Sequence, residues 1–158
     1  MRAADQISET DRPWLLQHLH DLRAAMSELE GDRPRTVIHG DAWQGNVAVP
    51  LANTATPVLL DLEHVSVGDP AWDLIPLGVD HTDFTRVSAT AYRSFVEAYG
   101  GYDVTAAPAF RTMADIQELR WVAFVLGKTR EAAAIAEARH RIACLRGTIP
   151  RPWTWSAW

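Results

Sequence analysis

From Val37 to Pro50 the chain reads V-I-H-G-D-A-W-Q-G-N-V-A-V-P, and from Leu59 to Leu74 it reads L-L-D-L-E-H-V-S-V-G-D-P-A-W-D-L. Val47 to Val49 and Val58 to Leu60 are short aliphatic runs on either side of a segment holding the turn residues Asn53, Thr54 and Pro57. Antiparallel pairing centred near Asn53 and Thr54 sets Asn46, just before the first strand, beside Asp61, just after the second. Asp41 lies on the loop that leads into this hairpin. The expected fold is therefore α+β and mostly helical, with a small β-hairpin that brings polar side chains to one place.

An aspartate and an amide five residues apart on a loop, followed by a second aspartate leaving a strand, suit phosphoryl transfer. A carboxylate can orient an attacking hydroxyl and accept its proton, while hard oxygen donors hold magnesium against nucleotide phosphates. Each short motif is weak alone. The competing reading of the stretch is an ordinary hairpin with solvated carboxylates and a satisfied histidine. The series H-G-D-x-x-x-x-N, then L-D-L-E, then G-D-P-x-x-D-L, in this order and at these spacings, is far more specific.

On those residues the chain resembles the aminoglycoside phosphotransferase family, the small-molecule kinases that share the protein-kinase fold and include choline-kinase-like relatives. The resemblance implies a protein-kinase-like C-terminal lobe that works with ATP and Mg2+. It makes Asp41 the catalytic base and Asn46 a magnesium ligand, and it puts Asp61 at the family's second metal aspartate. Glu63 is a less secure metal candidate. His39 and Gly40 belong to the support of the catalytic loop, and Asp73 is expected to brace that loop from below through its backbone N–H groups. Trp43 reads equally well as a wall of the substrate pocket or as a plug in the core. Gly40 and Gly45 both suggest backbone angles that other residues avoid.

The bulk properties fit this reading. At 158 residues, 47% hydrophobic and 22% charged, the chain has the composition of one globular domain, 1–158. A net charge of −5 with no basic stripe argues against nucleic-acid binding and is compatible with a cationic small-molecule hydroxyl acceptor. The single cysteine, Cys144, reads as a packed thiol in a helix. No apolar run approaches membrane-spanning length and the first ten residues are too polar for a signal peptide, so the expected compartment is cytoplasmic, with no membrane partner.

Outside the hairpin the sequence reads as helix. Asp11 to Glu30 carries Leu15, Leu19, Leu22, Met26 and Leu29 at helical spacing, with Asp11 as cap, Pro13 in the first turn and Gly31 as stop. His18 and His20 point to different faces and read as surface residues. Thr36 to His39 reads as a short extended entry. Asp69 and Pro70 mark another helix start, cap and first residue respectively. Further helices are expected from Phe84, capped by Asp83, to Tyr99, from Ala106 to Lys128, and from Glu131 to Arg146. Asp80, Asp83, Asp115 and Glu118 on this helical floor read first as solvated charges, with contact to a cationic substrate as the alternative. The tail, with Trp153, Trp155 and Trp158, is too aromatic for a free end and should pack back onto the helices.

A nucleotide lobe is not legible in these residues. Only 38 residues precede His39, no G-x-G-x-x-G occurs, and the sole lysine is Lys128, far downstream. The resemblance thus covers the second half of the family's fold, with the N-terminal nucleotide lobe absent. Two functions follow: a kinase catalytic lobe, truncated or fragmentary, or a noncatalytic relic that uses its exposed upper face for self-association or for binding a partner.

Overall fold

The computed structural model describes residues 7–29, 34–49, 56–128 and 131–158. In chain order it comprises α1 (Asp11–Leu29), β1 (Thr36–Ile38), β2 (Val47–Ala48), β3 (Val58–Leu59), β4 (Ser66–Gly68), α2 (Ile75–Thr82), α3 (Ala89–Ala98), α4 (Phe110–Leu126) and α5 (Ala132–Leu145). Helices dominate, as expected. Two small antiparallel pairs stand beside them, β1 with β4 and β2 with β3.

The expected hairpin forms, but one residue out of the expected register, so that Asn46 stands opposite Leu60 and not Asp61. Val47 faces Leu59 and Ala48 faces Val58, so the next rung sets Asn46 opposite Leu60, whose N–H donates to the Asn46 carbonyl at 2.9 Å. The tip of the hairpin, with Asn53 and Thr54, lies outside the described residues. Strand β4 is an addition to the sequence reading. Its Ser66-Val-Gly68 run is too short to advertise a strand, and what makes it one is its partner: Ile38 pairs with Ser66, and Thr36 with Gly68. Together β1 and β4 hold the two ends of the polar stretch side by side.

The helices meet in one principal core. Ile75 and Val79 of α2, Met113 and Val122 of α4 and Ile142 of α5 are each at most 1% exposed, and they pack with Phe84 and Trp153. The tail does return. Trp153 and Trp155 are buried and stacked 5.4 Å apart, and Phe84 meets both edge-on. Cys144 is a buried free thiol, as expected.

Several boundaries differ from expectation for clear physical reasons. Asp11 does not cap α1; Ser8 Oγ accepts its N–H at 3.0 Å, and the Asp11 carboxylate pairs with Arg146 at 2.7 Å. The expected stop at Gly31 falls outside the described residues. No helix starts at Phe84. Asp83 ends α2 instead, with its side chain turned inward to Arg111 at 2.7 Å and Arg151 at 3.2 Å, and Thr85 takes a φ of 52°. The next helix waits for Ser88, whose Oγ accepts the Ala91 N–H. The helix expected from Ala106 begins at Phe110, because Pro108 holds Ala107 extended at φ −74° and ψ 140°. Ahead of it, Asp103 caps a 3-10 turn over Val104–Ala106 by accepting the Thr105 N–H at 2.9 Å.

Candidate active site

The loop after β1 is built around Gly40. Its φ is +81°, and a Cβ there would collide with the His64 carbonyl, so this position needs glycine on both counts. Gly45 needs glycine for a different reason from the one expected. Its backbone angles are ordinary, but the Trp43 indole lies over it where a Cβ would stand. That contact leaves Trp43 about half exposed, on the wall of a cleft and not in the core.

Asp73 sits below the loop on the 3-10 turn Pro70–Leu74, which Asp69 opens by accepting the Ala71 N–H at 2.8 Å. One Asp73 carboxylate oxygen takes the His39 N–H at 2.7 Å and the other takes the Gly40 N–H at 2.9 Å. The Trp72 indole donates to the Gly40 carbonyl at 3.1 Å. The N–H and the carbonyl of Gly40 are therefore both held by adjacent residues of one turn. The following N–H, of Asp41, donates to His39 Nδ1 at 3.3 Å. Because Nδ1 accepts, the ring proton resides on Nε2, which donates to the Leu60 carbonyl at 2.9 Å.

Leu60 is thus tied twice, through its N–H to Asn46 and through its carbonyl to His39. This fixes the backbone one residue before Asp61, which adopts the left-handed conformation at φ 58° and ψ 58°. Aspartate tolerates that region better than most residues. Asn46, only 8% exposed, donates its amide nitrogen to the Asp41 carbonyl at 2.9 Å and to Asp41 Oδ2 at 3.3 Å. Asp41, Asp61 and Glu63 line one cleft of about 780 Å³. Glu63 is largely exposed and lies 3.6 Å from the His64 ring.

The opposite wall comes from α4 and the tail, and sequence reasoning missed it. Gln117, Arg120, Trp121 and Phe124 recur at helical spacing and line the cleft together with Trp155 and Trp158. Arg120 reaches the loop: its Nη2 is 3.7 Å from Asp41 Oδ1, and its Nη1 is 3.5 Å from the Gly40 carbonyl and 3.0 Å from Gln117 Oε1. Its guanidinium lies over the Trp72 ring. Nearly eighty residues separate Arg120 from the loop, so the only available sequence signal was the shared helix face.

The acidic residues of the floor are not solvated charges. Asp80 is buried at the cleft edge and paired with Arg86 at 3.0 Å; burial raises its pKa, and the guanidinium partly offsets that. Asp83, Asp115 and Glu118 surround Arg111 and Arg151 below the cleft. Glu118 is fully buried. Burial, with a hydrogen bond to Asp83, pushes its pKa up to about 9 in spite of both guanidiniums, so it holds a proton at neutral pH. Burial would also raise Asp83, but the bonds from Glu118 and Arg111 outweigh it and hold that carboxyl low. A protonated Glu118 leaves two carboxylates, Asp83 and Asp115, facing two partly exposed guanidiniums.

As a donor set for a cation, Asn46 and Asp61 offer hard amide and carboxylate oxygens, the type magnesium prefers. Among the described residues no three His, Cys, Asp or Glu side chains form a metal-binding group. The oxygens present suit a cation that takes its remaining ligands from a bound phosphate and water. No described helix is long and apolar enough to cross a membrane.

The family model described as the phosphotransferase enzyme family matches residues 2–114. That span runs from before α1 into the first turn of α4, and it includes the whole loop and hairpin. No curated protein and no solved structure matches the chain.

Proposed function

The chain belongs to the phosphotransferase enzyme family, and from that premise we propose that it is the catalytic lobe of an ATP-dependent small-molecule kinase with a protein-kinase-like arrangement. The observation that carries this reading is the joint fixation of Asp41, Asn46 and Asp61. One carboxylate beneath the loop and one histidine across to Leu60 hold the backbone around them; Asp41 and Asp61 line one cleft, and the Asn46 amide bonds to Asp41.

In this reading Asp41 accepts the proton of an acceptor hydroxyl as the new O–P bond forms. The bond from the terminal phosphorus to ADP breaks, and ADP leaves with the electron pair. Asn46 spends its amide nitrogen on Asp41, which both orients the carboxylate and leaves the amide oxygen for a cation. Asn46 and Asp61 would hold Mg2+, which supplies charge neutralisation at the phosphate oxygens. Glu63 stands at the rim as a further acidic contact. His39, Gly40 and Asp73 position the loop and touch no reactant. The exposed carboxylate of Glu63 favours an acceptor that carries positive charge.

Paramagnetic Mn2+ with excess ATP, titrated into the 15N-labelled chain, tests the site without requiring turnover. Resonances of Asp41, Asn46 and Asp61 should broaden first, and Asp61→Asn should remove the effect. Broadening confined to other acidic residues would refute the assignment.

One observation supports a second reading, that the lobe serves as a binding module. Both strand pairs carry exposed apolar side chains: Val37 and Val67, paired across β1 and β4, are each more than half exposed, as are Leu59 and Leu62. A surface of this kind favours self-association or a partner. Sedimentation of the chain over a range of concentrations measures the first, and Val37→Glu with Val67→Glu should abolish it.

A further inference from the structure

We propose that Arg120 is a catalytic residue that binds the phosphoryl group during its transfer, donating from Nη2 to an oxygen on phosphorus beside Asp41. The inference rests on the kinase reading of the cleft and adds to it a residue that lies outside the matched family span.

Arg120 is fixed from three sides. Nη1 donates to Gln117 Oε1 at 3.0 Å and, more weakly, to the Gly40 carbonyl at 3.5 Å, and the guanidinium lies over the Trp72 ring, 5.4 Å from its centroid. Those contacts employ one arm and one face of the group, and the planar fork then sets where the other arm goes. Nη2 stands 3.7 Å from Asp41 Oδ1, within reach of charge attraction but too far for a hydrogen bond. Among the described residues nothing hydrogen-bonds to Nη2, and nothing donates to Asp41 Oδ1, since Asn46 bonds Oδ2. Both residues line the cleft, with side chains 37% and 26% exposed, so neither is sealed from a ligand. A cation with open donors and a carboxylate oxygen with open lone pairs therefore stand side by side on its wall.

Their separation suits one shared ligand oxygen. An atom at the ordinary hydrogen-bond length of about 2.9 Å from each closes a triangle on the 3.7 Å base. The acceptor hydroxyl fits there, donating to Oδ1 and lying beside Nη2. As its oxygen bonds to phosphorus, its proton passes to Asp41, and the bond from phosphorus to ADP breaks with the electron pair kept by ADP. The negative oxygens on phosphorus then arrive next to Nη2. Arg120 gives up no proton in this step. Its part is a fixed positive charge where negative charge gathers, held in advance by Gln117, Gly40 and Trp72. A phosphate monoester gains a charge-assisted hydrogen bond from that charge, and an unphosphorylated alcohol gains little.

O-Phosphoethanolamine with excess Mg2+, titrated into the 15N-labelled chain, stands in for the product side of the reaction. It should shift the Arg120 Nε–H signal, assigned by its loss in Arg120→Lys, together with backbone signals of the 40–46 loop. Arg120→Gln should bind it about tenfold more weakly, and Arg120→Lys, which keeps the charge without the fork, should fall between. Mn2+ alone, read from broadening at Asp61, has the opposite sign: with a neighbouring cation removed, Arg120→Gln should bind it at least as well as the parent. A merely structural role for Arg120 would weaken both. If Arg120→Gln does not fold, Arg120→Lys carries the comparison, with a smaller loss of phosphate affinity and unchanged Mn2+ affinity. A silent Arg120 signal, equal affinity of parent and variants for the phosphate probe, or parallel loss of phosphate and Mn2+ binding overturns this proposal; loop shifts in the parent then leave the kinase reading standing. Silence of the loop toward the phosphate probe and of Asp61 toward Mn2+ overturns the two together.

Discussion

The carboxylate of Asp73 receives the backbone N–H of His39 at 2.7 Å across 34 residues of sequence, with its second oxygen on the next N–H at Gly40. Removing that carboxylate leaves two loop donors unpaired. Each costs about 1–3 kcal/mol if nothing replaces the bond, so Asp73→Ala should lower unfolding stability by an amount of that order. Asp73→Asn retains one acceptor oxygen and should lose less. Urea denaturation of the three proteins measures the ranking, and equal midpoints would show that the loop holds itself without Asp73.

Gly40→Ala tests the same loop from the backbone side. The left-handed conformation costs a non-glycine residue about 1–2 kcal/mol, and the added methyl meets the His64 carbonyl, which is main chain and cannot swing away. The expected result is a loss of more than that range in denaturant unfolding. A Gly100→Ala control has the same conformational cost in open space and should lose only the backbone part.

Glu118 gives the molecule a pH dependence of definite sign. Its ordinary value is 4.5 and in the folded chain it stands at about 9, so between those values the folded state keeps a proton that the unfolded state has released. Stability from this group is full below pH 4.5 and falls as pH rises toward 9, with a limiting slope of about 1.4 kcal/mol per pH unit. Asp83, whose value is lowered, acts oppositely: its contribution is present above its ordinary 3.8 and is lost as pH falls below it. Glu118→Gln imitates the protonated form, keeping an oxygen for the arginines and an N–H for Asp83. Unfolding curves from pH 5 to 9 should be steeper in pH for the parent than for the variant. Parallel slopes would mean that Glu118 is ionised in the folded chain.

These contrasts also explain what the sequence made legible. The loop and hairpin were readable because their determinants are local: aliphatic runs around a turn announce the hairpin, although its register lies one residue from the one expected, and Asp69-Pro70 starts a turn at once. The α4 wall was not, because Arg120 acquires its meaning only when α4 packs against a loop eighty residues earlier in the chain. Asp83 illustrates the same limit from the other direction. An aspartate before an apolar run reads as a helix cap, and only the arrival of Arg111 and Arg151 from distant segments turns it inward.

The last prediction concerns turnover by these 158 residues as they stand. A magnesium nucleotide needs a cradle for its phosphates, and in kinase-like enzymes a glycine-rich loop and a strand lysine supply it. These residues contain no such loop, and the one lysine, Lys128, is an exposed residue just past the end of α4, with its ammonium over the Phe124 ring. Asp41, Asn46 and Asp61 can then meet the nucleotide only through its metal, which leaves little binding energy to set the terminal phosphate in line with an acceptor hydroxyl. Because this reaction depends on positioning more than on covalent help from the protein, an intact base does not rescue it. Calorimetric titration with Mg-ATP should give an affinity weaker than micromolar, and a transfer assay with a panel of amino-alcohol acceptors should give no phosphorylated product. Adding a nucleotide-lobe polypeptide of the same family should raise both, and Asp41→Asn should cancel the gain in turnover by about 10²-fold or more while leaving nucleotide affinity in place. Micromolar affinity with turnover by the chain alone would show that a second copy, or another part of this lobe, provides the cradle.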